Sequence, residues 1–347
     1  MAGEEQFQKV DAPKLERLVT NIYAGLGVPA DDAAFLGGAL VDADLRGVHS
    51  HGCRWVSVYA RSIRAGHYNL HPQITTVRDD GATCLLDGDG GLGHVLAAHA
   101  MHQAIDRSKQ HGVGIVSLRN SQHIGALAYY TQMAADAGCL GYCATNAGIG
   151  VVPPGGREKV IGLNPLSWAA PTRRPWCFNL DMATSVVAGS KLGIALERNE
   201  KIPFGWAVDQ DGNPTDDPKK GQEGGILPVG GPKGYGLSVL LDIMAGVLSG
   251  GRFGRGLGTE GSAQFFQALD IEHFQPLDEF KERMEELIAQ IKGSALAPGS
   301  KGIFFPGEIE YNLKQDRLAH GLPLDQFVRG ELKKEAEAQG LAYDVEQ

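Results

Sequence analysis

One short segment near the N-terminus concentrates side chains that can move protons or bind anions. Residues 44–55 read DLRGVHSHGCRW. His51 can exchange a proton near neutral pH, and the neighbouring Ser50 hydroxyl can orient the ring or relay the proton. An isolated Ser-His pair is more often an N-cap serine beside a surface histidine. Three further basic side chains in the same segment favour a site of chemistry: Arg46, His49 and Arg54.

Two predicted helices flank this segment. Apolar residues at helical spacing precede it, and Gly47 is placed to end that helix. Val56, Tyr59 and Ile63 then repeat at the spacing of a new helix, which we expect to end at Gly66. Ser50 and His51 therefore fall at a junction of helices, where backbone N–H groups are unpaired.

A second candidate histidine, His123, follows the predicted strand 113–118. It lies in a loop before the next predicted helix, where α/β proteins commonly place functional side chains. A purely structural role fits this pattern equally well.

Glycine is the most unusual feature of the composition, with 48 residues in 347. Clustered glycines indicate tight turns or backbone that approaches a ligand closely. One cluster, residues 88–93, has the G-x-G-x-x-G spacing of a dinucleotide-binding loop. The next predicted strand ends in Arg119 and Asn120, however, where a Rossmann site would place an acid for the ribose. The glycines at 88–93 therefore predict a structural turn.

Two other segments are candidates for binding phosphate. After the predicted strand 178–182, Thr184 and Ser185 are expected to open a helix, where hydroxyl and N–H groups can bind a phosphate or simply cap the helix. Lys233 lies among glycines at the predicted start of the most apolar helix, which suits a pyrophosphate.

The bulk composition narrows the possible functions. A net charge of -9 argues against nucleic acid or anionic membrane as the main partner, and 43% hydrophobic residues are typical of a globular protein. Five cysteines without a C-x-x-C pair predict reduced thiols in the cytoplasm. Residues 1–6 have no apolar run, so no secretion signal is expected there.

Several motifs together resemble the type-2 malate/L-lactate dehydrogenase family, which is distinct from the Rossmann-type dehydrogenases. Its members include ureidoglycolate, sulfolactate and diketogulonate oxidoreductases and cyclic imine reductases. The motifs follow the family order over nearly the whole chain: 44–47 with 50–52, 120–121 with His123, 181–185, 231–236 and 306–308.

The resemblance implies an α/β fold without a Rossmann domain. A mixed-sheet central domain, residues 74–275, would bind the nicotinamide cofactor. A helical domain built from both termini, residues 1–73 and 276–347, would flank it, and the protein would be a homodimer.

The resemblance also implies where the cofactor binds. NAD or NADP would contact the following residues: His123, Asn146, Asp181, Met182, Ala183, Thr184, Ser185, Lys233, Gly307 and Glu308. Gly189 stands where many members have an arginine, which favours NAD over NADP.

The implied reaction is hydride transfer between the nicotinamide and C2 of a 2-oxo or 2-hydroxy acid. His51, supported by Ser50, matches the position of the proton donor, although some members assign that role to the position of His123. Arg54 and Tyr59 would contact the substrate. Trp55 replaces an arginine of the family, which favours a bulkier or more apolar substrate, and Ile309 stands where a basic residue is common.

Three other functions remain open. The same fold supports reduction of cyclic imino acids. The spacing of His49 and His51, together with His123, is compatible with a metal-dependent hydrolase, although no established metal motif occurs and no metal site is predicted. A glycine-rich binding protein without enzymatic activity is the third possibility.

Overall fold

A computed structural model describes residues 7–257 and 261–346. The helices are α1 (Ala12–Gly25), α2 (Ala30–Leu45), α3 (Val56–Arg64), α4 (Gly93–His111), α5 (Ala128–Asp136), α6 (Ser190–Glu197), α7 (Pro218–Glu223), α8 (Pro232–Asp242), α9 (Leu277–Lys292), α10 (Glu308–His320) and α11 (Gln326–Ala338). The strands are β1 (Phe7–Val10), β2 (Thr75–Asp79), β3 (Thr83–Asp87), β4 (Val113–Ser121), β5 (Cys139–Thr145), β6 (Ile149–Val151), β7 (Ile161–Gly162), β8 (Leu166–Ala170), β9 (Phe178–Met182), β10 (Ala207–Val208), β11 (Pro214–Thr215), β12 (Gly225–Ile226), β13 (Ser262–Asp270) and β14 (Leu322–Asp325).

A seven-stranded mixed sheet forms the centre of the molecule, in the order β2-β3-β4-β13-β5-β8-β9. β3 and β4 pair in parallel, whereas the other neighbours in this order are antiparallel. Helices α4 and α5 cover one face and bury Met101, Tyr130 and Phe266 between helix and sheet. The predicted mixed-sheet α/β architecture is confirmed.

A smaller sheet follows the order β11-β10-β12-β6-β7. Leu192, Ala195 and Ile226 form a separate apolar cluster between it and α6. β6 begins four residues after the end of β5, so a short loop that contains Asn146 connects the two sheets.

The two ends of the chain pack against each other, as the sequence predicts. β1 pairs antiparallel with β14, and α11 contacts both α1 and α3. One apolar core joins residues from both ends, including Leu15, Tyr23, Leu40, Leu322 and Leu332. The division into domains at 73/74 and 275/276 stays a prediction, and the expectation about residues 1–6 concerns residues outside the described ranges.

The junction between α2 and α3 forms as expected. Gly47 follows the last turn of α2 with φ of 85°, a left-handed conformation that glycine adopts without strain. Two short 3-10 turns, His49–His51 and Cys53–Trp55, then lead into α3. Asp44 fixes the junction because its buried carboxylate accepts hydrogen bonds from the Cys53 N–H, at 2.6 Å, and from the His49 ring, at 2.7 Å.

The prediction that Thr184 and Ser185 open a helix is wrong, since α6 begins at Ser190. The Thr184 N–H donates to the Leu163 carbonyl, and Ser185 forms a β-bridge with Pro228. Because Thr184 and Ser185 pair with residues on both sides, this segment is extended. The hydroxyl side chains at 184–185 predict a helix start and contain no information about these distant partners.

No helix within the described ranges is long and apolar enough to cross a membrane. The predicted apolar helix α8 nevertheless exposes much of its apolar surface. Leu240, Ile243 and Val247 are each about half exposed, at 47%, 48% and 50%. This face of α8 and of the following turn lacks a covering element within residues 7–257 and 261–346.

Candidate active site

A cavity of about 620 Å³ opens beside the junction of α2 and α3. Its walls come from this junction, the loop between β4 and α5, the end of β5, the end of β9 and the start of α10. This volume is typical of sites that enclose a small molecule or part of a cofactor. The predicted site residues in the wall are Ser50, His51, Tyr59, His123, Asn146, Asp181, Met182, Ala183 and Gly307.

His51 lies at the end of the first 3-10 turn, and its side chain faces the cavity. The Ser50 hydroxyl lies 2.9 Å from Nδ1 of His51, which fixes the ring and leaves Nε2 as the atom for a ligand. Burial lowers the pKa of His51 from 6.5. The imidazole is therefore neutral at pH 7 and poised to accept a proton, and its protonated form is a stronger acid than a free histidine.

His123 faces the same cavity from the loop after β4, with its ring centroid 5.7 Å from that of His51. The Tyr59 hydroxyl lies 2.5 Å from Nδ1 of His123. Burial, with His51 and His94 as further causes, lowers the pKa of His123 well below 6.5. His123 is consequently a neutral ring held in one orientation by Tyr59.

Trp55 forms the next part of this wall. Its indole stacks on His123 at a centroid distance of 4.3 Å, and its Nε1–H donates to the Ser50 carbonyl at 2.8 Å. The same indole packs 5.3 Å from the Tyr59 ring. The wall is therefore a rigid aromatic stack.

His94 is a member of this cluster that sequence reasoning missed. It lies buried in the first turn of α4, 5.5 Å from the Tyr59 ring, and burial lowers its pKa to about 3. A Cβ at Gly125 would come within 2.5 Å of the His94 ring, so His94 packs directly beneath the loop that carries His123. The sequence around His94 contains no pattern that would predict this contact.

Asp181 lies at the end of β9 and opens onto the cavity. Its carboxylate accepts the backbone N–H of Ala128 at 2.8 Å, at the N-terminus of α5. The surrounding protein nevertheless raises its pKa to about 6, because it removes water from the carboxylate. Asp181 therefore holds α5 against β9 and places a carboxyl of unusual proton affinity in the wall.

Asn146 follows β5 and shapes another part of the wall. Its amide donates to the Arg252 carbonyl at 2.8 Å and accepts the Ala263 N–H at 2.9 Å. Because both ends of the amide are used, the residue fixes the turn that leads to Gly148. A Cβ at Gly148 would meet no atom within 4 Å, so this turn borders open space.

Several predicted site residues do not reach the cavity. Thr184 and Ser185 are buried and donate their hydroxyls to the carbonyls of Leu163 and Val187. Glu308 accepts the Phe305 N–H at 2.9 Å and pairs with Lys292. Lys233 is exposed in the first turn of α8, outside the cavity wall.

Arg54 also turns away from the cavity. Its guanidinium lies 3.1 Å from the Glu197 carboxylate and 5.2 Å from the centre of the Phe327 ring. His49 pairs with Asp44 and is not part of the cavity wall. Within residues 7–257 and 261–346, no group of three histidine, cysteine or acidic side chains could hold a metal ion, and the hydrolase alternative has no assembled ligand set.

Comparison with known proteins identifies the family. The sequence profile of malate/L-lactate dehydrogenase matches residues 10–333. The chain belongs to the malate/L-lactate dehydrogenase family. The family and the enzyme class predicted from the sequence motifs, a nicotinamide-dependent dehydrogenase, are confirmed.

Individual members of the family are similar over almost their full length. Malate dehydrogenase of Pyrococcus horikoshii is 40% identical over 352 residues, which cover 97% of each chain. L-sulfolactate dehydrogenase of Methanocaldococcus jannaschii is 38% identical, with 94% of this chain and 96% of that one covered. The structure of delta1-piperideine-2-carboxylate reductase from Pseudomonas syringae matches with a TM-score of 0.85 at 28% identity, over 95% of this chain and 100% of that chain.

Proposed function

We propose that the protein transfers a hydride between NAD(P)H and C2 of a 2-oxo or 2-hydroxy acid, with His51 as proton donor and acceptor. The observation that carries this proposal is the pairing of Ser50 with Nδ1 of His51 in the wall of a cofactor-sized cavity. The relatives named as malate and sulfolactate dehydrogenases support the 2-hydroxy acid as the substrate class.

The residues of the cavity fit a nicotinamide cofactor. The strand end at 181–183 and the turn at 146–148 both line the wall, and the open space beside Gly148 leaves room for a planar ring. Gly189 and Ser190, at the N-terminus of α6, also border the cavity, and a helix N-terminus favours phosphate. When bound, the reduced nicotinamide supplies the hydride.

His51 and His123 have different parts in this proposal. A protonated His51 donates from Nε2 to the oxygen that develops negative charge, while Ser50 holds Nδ1. His123, neutral and oriented by Tyr59, offers a polar contact to the substrate oxygen or to the nicotinamide. The assignment of His123 as the donor is the alternative, and the pH profiles of His51→Gln and His123→Gln separate the two.

The contacts of the cofactor and substrate with residues outside the cavity wall stay proposals. Lys233 and Glu308 belong to segments next to the wall, and Arg54 faces Glu197.

The choice between NAD and NADP stays open, with Gly189 favouring NAD. The homodimer is supported by the exposed apolar face of α8, and the cytoplasmic location is supported by five free cysteines, all within the described ranges.

Reduction of a cyclic imino acid is a second candidate function. The structural match to delta1-piperideine-2-carboxylate reductase favours it, because a proton donor beside a hydride acceptor suits C=N as well as C=O.

The test is a screen of 2-oxo acids and cyclic imino acids with NADH and NADPH. We expect loss of the reduced-nicotinamide absorbance with at least one 2-oxo acid. His51→Gln should lower kcat/KM by about 10²- to 10⁴-fold. The proposal is refuted if the protein binds neither cofactor and turns over no compound in the panel.

A further inference from the structure

The cavity carries an excess of negative charge among the described residues of its wall. Three carboxylates border it, from Asp42, Asp181 and Glu310, against the single guanidinium of Arg46. That guanidinium is already matched, since its Nε lies 2.7 Å from Asp42 and another nitrogen donates to Gln132. Asp42 also pairs with Lys314, so the excess negative charge of the described wall comes from Asp181 and Glu310. Each anionic group of a substrate meets repulsion from this wall, so a dicarboxylate meets more of it than a monocarboxylate does.

The α3 side of the cavity is uncharged. Trp55, Val58, Tyr59 and Ser62 recur at helical spacing and all border the cavity. The arginines of α3 lie elsewhere: Arg64 pairs with Glu335 at 2.5 Å. This wall offers apolar surface and two hydroxyls to a ligand in the cavity, that of Ser62 and that of Tyr59, which pairs with His123.

Trp55 is the fixed element of that wall. The indole is held by its stack on His123 and by its hydrogen bond to the Ser50 carbonyl, so it occupies a defined place in the cavity wall next to His123. Arg54, the adjacent cation, is held away by Glu197 and Phe327. The described α3 side of the cavity thus offers an aromatic surface, and no cation, to a substrate side chain that lies against it.

We propose that Trp55 makes the enzyme selective for 2-oxo acids with one carboxylate and an apolar side chain, and that it excludes dicarboxylates of the malate type. This inference rests on the proposed 2-oxo acid reduction. It specifies the substrate class, which the family membership leaves open.

Two substrates of similar shape test the selectivity. Oxaloacetate and 4-methyl-2-oxopentanoate both carry a branched group of three heavy atoms, a carboxylate or an isopropyl group, two bonds from the keto carbon. Only the carboxylate of oxaloacetate is charged. We expect kcat/KM of the wild-type enzyme, with its preferred nicotinamide cofactor, to be at least about tenfold higher for 4-methyl-2-oxopentanoate.

Two variants test the role of Trp55 itself. Trp55→Arg supplies the missing cation and should shift the ratio of kcat/KM values toward oxaloacetate by at least about tenfold. Trp55→Phe keeps the aromatic surface and should preserve the wild-type preference. Near-ultraviolet circular dichroism of each variant checks that the fold is retained.

Equilibrium binding gives a readout that does not depend on turnover. Titration calorimetry with the unreactive acids 4-methylpentanoate and succinate should show tighter binding of the apolar acid to the wild-type protein, and a weaker preference in Trp55→Arg. A preference for oxaloacetate and succinate, or an unchanged ratio in Trp55→Arg, overturns the inference while leaving the dehydrogenase activity in place. If no 2-oxo acid is reduced, the proposed function fails, and the calorimetric preference alone then decides whether Trp55 selects apolar acids.

Discussion

Removal of the Tyr59 hydroxyl tests how the aromatic wall positions His123. In Tyr59→Phe the ring stays in the stack, but Nδ1 of His123 loses its partner at 2.5 Å, the buried Tyr59 hydroxyl. A buried polar atom left without a partner costs about 1–3 kcal/mol. We therefore expect the free energy of unfolding to fall by that amount. The same hydrogen bond orients His123 in the catalytic complex. If its loss costs about 0.5–1.5 kcal/mol there, kcat/KM decreases about 2- to 13-fold.

Urea unfolding and steady-state kinetics measure the two effects. Tyr23→Phe is the matched control, because Tyr23 is also fully buried in the helical core, lies outside the cavity wall and has only a long 3.5 Å contact to the Val56 carbonyl. The control should lose less stability and keep wild-type kinetics. If Tyr59→Phe behaves like Tyr23→Phe in both assays, the hydroxyl does not position His123 and the reasoning is refuted.

Three other perturbations have defined outcomes. Ser50→Ala should lower kcat/KM by about 2- to 13-fold, since it frees Nδ1 of His51, and unchanged kinetics would contradict the pairing. The raised pKa of Asp181 makes its ionisation unfavourable in the folded state, so the free energy of unfolding of the wild type should decline as pH rises from 3.8 through about 6. Asp181→Asn should remove this decline. Urea midpoints of the variant that match those of the wild type across this pH range would contradict the expectation. Leu240→Glu should shift the sedimentation coefficient from dimer to monomer if the exposed face of α8 binds a second copy, and a variant that stays dimeric would place the interface elsewhere.

Local patterns were sufficient to predict the helix junction and the position of Ser50 and His51 within it. Helical spacing on both sides and Gly47 placed Ser50 and His51 in the turn that the structure shows. Strand 178–182 was predicted with the same bounds as β9. These features depend on residues that are close together in sequence, so local sequence patterns are enough to predict them.

The features that sequence reasoning missed depend on distant partners. Thr184 and Ser185 are held extended by Leu163 and Pro228, and Arg54 is drawn away by Glu197, 143 residues along the chain. The stack of Trp55 on His123 and the position of His94 beneath Gly125 arise only when α3, α4 and the loop after β4 come together. No spacing rule within one segment contains that information.

The central claim is that His51 supplies the proton for reduction of the substrate. The most direct measurement is kcat/KM against pH for reduction of a 2-oxo acid by the wild-type enzyme, His51→Gln and the matched variant His123→Gln. Because burial lowers the pKa of His51 from 6.5, the wild-type rate should rise as pH falls through that pKa, and the oxidation rate should fall. His51→Gln should abolish this dependence, whereas His123→Gln should keep it. A His51→Gln enzyme that retains the wild-type rate and pH dependence, or a loss of that dependence in His123→Gln alone, would contradict the claim.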